Sequence, residues 1–382
     1  MLSMPETRNA AGLEWLTVGN VDCRTVKDAH FKLIRQVSGI PDDFLSDTFD
    51  FGKLSSGGGK GGDVMARSSD GKYFVKQLND GDAHSLLRDE FLSEYVSLVS
   101  GGSTLICKIA AVFEHITLGK FIAMANCLPA CINSWSGLYD LKGSADDKIL
   151  IEDGVQVPEA HKRFWNIDLV VCEATGCNKG VPFARKQYVK GKRQAYDTPI
   201  YVTKEQKAYI LKLMKQDVAF FTRFGLMDYS MIVGVYRPPP GFTQQALEQS
   251  FSHLHSIPHA SHYKGDMTVL FVGIIDFLQA WTRSKRCAHL VKACCAPPPI
   301  STIPPSQYAI QFMQFFQWKF RGVAHPLRPI SAKPLENSHG PKESEQRNLE
   351  IELQKLKLMI ASLVEKLTAS EARVAQLESC LI

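Results

Sequence analysis

Two apolar runs late in the chain, Leu226 to Tyr236 and Met267 to Phe277, each carry one aspartate at a predicted strand boundary: Asp228 in Met227-Asp228-Tyr229-Ser230, and Asp276 in Gly273-Ile274-Ile275-Asp276. A carboxylate among Ile, Val, Phe and Met costs several kcal/mol to bury unless a cation or hydrogen bonds compensate it. Two such strands predict a sheet whose ends frame a cation, either a metal ion or one belonging to a substrate complex, as phosphoryl transfer requires. Either aspartate alone reads equally as a turn or cap residue; the pair points to a site.

The rest of the chain predicts two groups of elements. Val26, Phe31, Ile34 and Val37 recur at helical spacing over 24–37, and Pro41-Asp42-Asp43-Phe44 opens a second short helix. Strands are predicted over Thr48 to Leu54, Asp63 to Arg67 and Lys72 to Leu78, then a helix over 82–99, then strands over Leu105 to His115 and Lys120 to Leu128. In the second group, helices over Thr203 to Phe224 and Ser306 to Phe320 flank the two aspartate strands, with a Pro-, His- and Ser-rich surface insertion at 237–265. Past Phe320 the composition becomes that of a linker. From Leu349 a heptad follows, with Leu353, Ile360, Leu367, Val374 and Leu381 on one seam position and Leu349, Leu356, Leu363, Ser370 and Leu377 on the other, which predicts a parallel two-stranded coiled coil over a lone helix docked on the domain.

Composition removes several classes. With 382 residues, 45% hydrophobic and 22% charged, the chain is ordinary globular protein, and a net charge of +5 suits an anionic surface but is too small for a nucleic-acid partner. There is no run of 18 or more apolar residues and no basic segment leading into an apolar one near the start, so the expected location is cytoplasmic. The ten cysteines have no C-x-x-C spacing and read as free thiols.

The first two strands of the meander flank the run Gly57 to Gly62, in which Gly58, Gly59, Lys60 and Gly61 form the tip. Gly57, Gly59 and Gly62 match G-x-G-x-x-G, but no strand runs straight into a helix there, and the Walker A spacing fails around Lys60. What remains is a glycine hairpin whose N–H groups close over phosphates, with Lys76 on the next strand and a helix offering Glu90 to hold that lysine, the plan of protein kinases. Taken alone, these residues also read as a flexible hairpin and a solvated lysine.

Tyr139-Asp140-Leu141-Lys142-Gly143-Ser144, Met227-Asp228-Tyr229-Ser230 and Gly273-Ile274-Ile275-Asp276 resemble, in this order, the DLKGS, MDYSLL and GIID strings of the phosphatidylinositol phosphate kinases. The similarity runs from about residue 24 to 320. It implies an α+β, two-lobed fold, distantly protein-kinase-like, of antiparallel sheets with helices, followed by a linker and a C-terminal coiled-coil helix. The implied division is an N-terminal tail at 1–23, an N-lobe at 24–128, a C-lobe at 129–320, a linker at 321–345 and the coiled coil at 346–382. The implied cofactors are ATP and Mg²⁺. Lys76 and Lys142 would meet phosphates, Glu90 would pair with Lys76, Asp276 would hold the metal, and Asp228 would orient or deprotonate the inositol hydroxyl. Asn126 and Leu128 lie where the adenine-contacting hinge is expected.

In the family, lipid choice lies after GIID, here Phe277 to Pro305. Lys285, Arg286, Ala288 and Lys292 fall in this stretch, and alanine at 288 resembles the type II enzymes, which act on the 5-phosphate lipid. Lys285-Arg286 near Trp281 predicts a short amphipathic element meeting phosphoinositide headgroups on an anionic membrane, with an ordinary surface loop as the other reading. The chain departs from the family after DLKGS, where basic residues are usual: Ala145-Asp146-Asp147 would set acidic charge against a lipid phosphate. Three classes stay open: an active Mg·ATP-dependent phosphoinositide kinase, peripheral at the cytosolic face of a membrane and homodimeric through the coiled coil; a catalytically silent scaffold; and a protein kinase. The missing H-R-D, D-F-G and A-P-E strings count against the last.

Overall fold

Burial alternates along the first strand: in a computed structural model, Leu16 and Val18 are buried in β1 (Trp15–Val18) while Trp15 is exposed. The residues described are 12–56, 64–144, 146–157, 195–239, 259–263, 266–295 and 299–323, all within a unit spanning Met1–Pro329. β1 pairs with β2 (Val21–Thr25), so the sheet begins before residue 24, within the segment expected as a tail. After α1 (Asp28–Ser38) come β3 (Ser55–Ser56), β4 (Val64–Arg67), β5 (Tyr73–Gln77), α2 (Asp80–Leu86), α3 (Asp89–Ser100), β6 (Ile109–His115) and β7 (Gly119–Ala125). The seven strands form an antiparallel sheet in the order β1-β2-β6-β7-β5-β4-β3.

Three expected elements differ. The short helix expected from Pro41-Asp42-Asp43-Phe44 is a run of turns over 42–48. The strand predicted over Thr48 to Leu54 is a 3-10 turn at Phe51–Lys53, because the Asp50 carboxylate accepts the Gly52 N–H at 2.8 Å and closes the backbone locally. The helix predicted over 82–99 breaks at Leu87-Arg88, where Arg88 is extended, and α3 starts afresh.

Arg35 fixes α1 to the sheet. Its guanidinium is fully buried, bonding both Asp28 oxygens at 2.7 and 2.8 Å, Asp42 at 2.8 Å and the Ala110 carbonyl of β6 at 3.0 Å. Burial lowers the Arg35 pKa, but the Asp28 and Asp42 contacts more than reverse this. Arg35→Met strands the Asp28 carboxylate and is expected to cost about 3–5 kcal/mol of stability in chemical denaturation.

The second sheet contains β8 (Gly137–Leu141), β9 (Lys148–Glu152), β10 (Val155–Gln156), β12 (Ser230–Tyr236), β13 (His259–Tyr263) and β14 (Asp266–Ile275), in the antiparallel order β10-β9-β8-β12-β14-β13. β13 occupies the end of the segment expected as an insertion, while 240–258 lie outside the described residues. β11 (Ile200–Thr203) leads into α4 (Lys204–Arg223) through a capping box, the Thr203 hydroxyl accepting the Gln206 N–H and the Gln206 side chain accepting the Thr203 N–H. α5 (Arg283–Cys295) and α6 (Pro305–Lys319) follow, and β15 (Phe320–Val323) pairs in parallel with β11. Residues 321–323, expected in the linker, are therefore strand; the rest of the linker and the coiled coil lie outside the described residues. No described helix is long and apolar enough to cross a membrane.

The two sheets are joined beside the Asp276 strand. The Ile274 N–H donates to Leu105 O at 2.7 Å and the Cys107 N–H to Ile274 O at 3.0 Å. Gly273 permits this approach, since a Cβ there would lie 2.6 Å from Cys107 Sγ and 2.7 Å from Cys127 Sγ. Asp217 of α4 clamps the same segment, accepting from the Thr104 hydroxyl at 2.6 Å and the Leu105 N–H at 2.8 Å. Burial pushes the Asp217 carboxyl up to about 6, against the pull of those two bonds. A folded pKa above the ordinary value means that the contribution is complete below about pH 4 and declines as pH rises through about 6. Urea unfolding should show Asp217→Asn losing about 2 kcal/mol of this pH-dependent fall between pH 4 and pH 8.

Candidate active site

The aspartates that end the two apolar runs stand at left-handed backbone positions, Asp228 with φ 64° and Asp276 with φ 55°. Positive φ is uncommon outside glycine, although aspartate tolerates it better than most residues. At Asp276 this turn takes the carboxylate out of the sheet: Ile274 and Phe277 are buried, but the Asp276 side chain is 49% exposed. The expectation of two buried carboxylates is thus corrected for Asp276. Asp228 is more enclosed, with its side chain 24% exposed.

A lysine from a neighbouring strand meets each aspartate. Lys76 Nζ of β5 lies 3.3 Å from Asp276 Oδ1, joining the two sheets by charge. Lys142, which follows β8, donates to Asp228 Oδ1 at 2.8 Å and to Asp228 O at 2.7 Å. Burial opposes the Lys142 charge, but Asp228 and then Asp276 override it and raise its pKa. Burial likewise opposes ionisation of Asp228, and Lys142 reverses this, holding the carboxyl below its ordinary value. All four charged groups singled out in the sequence therefore converge.

Three expectations fare differently. Glu90 does not serve Lys76: its carboxylate is 72% exposed and meets Arg223 of α4 at 3.3 Å, because the break before α3 turns its first residues toward α4. Asn126 is buried, with its amide donating to Gly71 O at 2.9 Å, its backbone N–H to Lys72 O at 2.7 Å, and its Oδ1 accepting the Leu128 N–H at 3.0 Å. The N–H groups of Asn126 and Leu128 are thus engaged within the chain. Gly58, Gly59, Lys60 and Gly61 lie outside the described residues.

The segment after Asp276 is helical rather than loop-like. In α5, Lys285 is half-buried, Arg286 exposed and Ala288 half-buried, while Leu290 is 66% exposed. His289 Nδ1 lies 2.8 Å from Thr302 O, and Lys292 bonds the Thr302 hydroxyl, tethering the helix to the stretch before α6.

Sequence reasoning missed the support beneath Lys142. Tyr308 of α6 donates its hydroxyl to Tyr229 O and, at 3.2 Å, to Lys142 O, while Gln311 donates to Gly143 O at 2.9 Å. Asp147 is buried and accepts the Lys142 N–H at 2.5 Å, so it does not face a lipid phosphate as expected. Lys148, the first basic residue after DLKGS, is 3.0 Å from Asp140 across the β8–β9 ladder. A signal was present in α6: Gln311 and Lys319 fall on the same stripe as Tyr308, Phe312, Phe315 and Phe316, and polar groups on an aromatic stripe call for partners.

The donor set fits Mg²⁺. That ion keeps several waters and takes one or two carboxylates together with substrate phosphates, and Asp276 presents an outward carboxylate beside the Lys76 ammonium. Among the described residues no three His, Cys, Asp or Glu side chains form a metal cage.

Comparison with known proteins bears on the family of the chain. The family model described as Phosphatidylinositol-4-phosphate 5-Kinase matches residues 51–264 and 242–318. Phosphatidylinositol 4-phosphate 5-kinase type-1 beta of Gallus gallus is 23% identical over 358 residues, covering 82% of this chain and 61% of the relative. Phosphatidylinositol 5-phosphate 4-kinase type-2 gamma of Xenopus tropicalis is 25% identical over 158 residues, 30% of this chain and 38% of the relative. The chain spans about three fifths of the length of the type-1 relatives it matches.

Proposed function

We propose, because this chain belongs to the phosphatidylinositol phosphate kinase family, that it transfers the γ-phosphate of ATP to an inositol hydroxyl of a monophosphorylated phosphoinositide. The observation that carries this reading is the pairing of Lys76 with Asp276 and of Lys142 with Asp228 at the junction of the two sheets. Phosphoryl transfer asks mainly for positioning and charge stabilisation, and two lysines with two carboxylates supply both.

Lys76 and Lys142 meet the phosphates. Asp228 accepts a hydrogen bond from the inositol hydroxyl and orients it. Since Lys142 holds that carboxyl below its ordinary pKa, Asp228 is a weak base in the ground state and takes the proton only as the new O–P bond forms. Mg²⁺ held by Asp276 would neutralise charge on the transferring phosphate.

The basic side chains of Lys285 and Arg286 with exposed Leu290 on α5 favour contact with an anionic lipid surface, with the enzyme peripheral at the cytosolic face. Alanine at 288 favours the 5-phosphate lipid. The test is radiolabelled ATP offered with vesicles of the three monophosphorylated phosphoinositides, the bisphosphate products being separated by regioisomer. The expected result is one dominant product from the 5-phosphate lipid. Label in no lipid would refute the kinase reading, and a product mainly from the 4-phosphate lipid would refute only the choice of isomer.

The heptads of 346–382 favour a homodimer. Ending the chain after Pro329 should turn a dimer into a monomer in sedimentation velocity, and a full-length monomer would contradict the heptad reading.

A further inference from the structure

We infer that Asp147 is a positioning residue for Lys142, fixing its peptide N–H. Asp147 is fully buried, and its Oδ1 accepts the N–H of Lys142 at 2.5 Å and of Ser144 at 3.3 Å, closing the turn that carries the lysine. Gly143 at the apex has φ 66° and lies against Phe315, where a Cβ would approach to 2.8 Å. The other side of the Lys142 peptide is held by Tyr308. The backbone from which the Lys142 ammonium reaches Asp228 is therefore gripped at both its N–H and its C=O.

A buried carboxylate needs a cation. Lys319, the last residue of α6, is fully buried, donates to Ala195 O at 2.5 Å and Tyr196 O at 3.4 Å, and sits 5.5 Å from the Phe315 ring centroid. Burial pushes the Asp147 carboxyl up to about 7, against the pull of the Lys142 N–H and the Lys319 charge. Burial brings Lys319 down to about 8, against the Asp147 and Asp197 charges. The other titratable groups facing Asp147 are Asp140 of β8, which raises it further, Tyr196 before β11 and Tyr308 of α6.

The inference rests on the kinase reading for its consequence but not for its first test. In the full chain labelled with ¹⁵N-lysine, the Lys142 amide resonance, assigned by its loss in Lys142→Arg, is followed from about pH 5 to about pH 9. It should shift with a midpoint near 7 and stop titrating in Asp147→Asn. In turnover, Asp147→Asn should lower kcat about tenfold or more with KM for ATP within about threefold, as misplacement without lost ground-state binding requires. An unmodified chain whose Lys142 amide ignores pH overturns the inference, even if the variants fail to fold. Absence of lipid phosphorylation by the unmodified chain would refute the kinase reading and leave the amide titration to decide this one.

Discussion

Asp276→Asn should lower kcat by about 10²- to 10³-fold while leaving the protein folded. Asparagine shares the tolerance of aspartate for positive φ, so the change adds little strain at φ 55°, whereas alanine would add about 1–2 kcal/mol. The carboxylate is half exposed and its ion pair with Lys76 spans 3.3 Å, an arrangement that contributes little to stability. Thermal unfolding should therefore shift by no more than a few degrees while lipid phosphorylation collapses. Retention of the full rate in Asp276→Asn would remove this carboxylate from the chemistry.

Lys142→Met should produce a loss of similar size by a different route. Methionine keeps the unbranched stem but removes the ammonium that bonds Asp228 at 2.8 Å and its carbonyl at 2.7 Å. Two effects follow: a phosphate loses a cation, and Asp228 loses the charge that holds its pKa down. The sign is fixed, because with Lys142 gone burial dominates, the Asp228 carboxyl rises, and the acid limb of the kcat profile moves to higher pH. Initial rates against pH on lipid vesicles measure both effects. A variant with normal kcat and an unmoved acid limb would show that Lys142 is only a structural partner of Asp228.

Much of the site was legible because each piece announces itself locally. An aspartate ending an Ile-Ile or Leu-Met run reads alone as a turn or cap residue, but two of them together point to a site, and Lys76 sits in a recognisable strand. Glu90 was not legible, since a single helix over 82–99 and a helix restarting at Asp89 have nearly the same apolar pattern but aim residue 90 differently. Nor were the bonds of Asn126 legible: its side chain and N–H are committed to Gly71 and Lys72, contacts set by how the β4–β5 turn folds back. The pairing of Trp15–Val18 with Val21–Thr25 is a hairpin across the two-residue Gly19-Asn20 loop, a local signal that went unread, whereas the entry of Phe320–Val323 into a parallel pair depends on β11, which no local pattern encodes. Asp147 looked like surface charge because nothing near it in sequence reveals Lys319 across the fold.

The central claim is that Lys76, Lys142, Asp228 and Asp276 form one nucleotide-phosphate site. A crystal structure of the full chain with Mg²⁺ and a non-hydrolysable ATP analogue tests it most directly. The account predicts that the triphosphate contacts both lysine ammonium groups, with the metal on Asp276 and the Asp228 carboxylate facing the terminal phosphate. A nucleotide bound elsewhere, or one whose phosphates touch neither lysine, would contradict it.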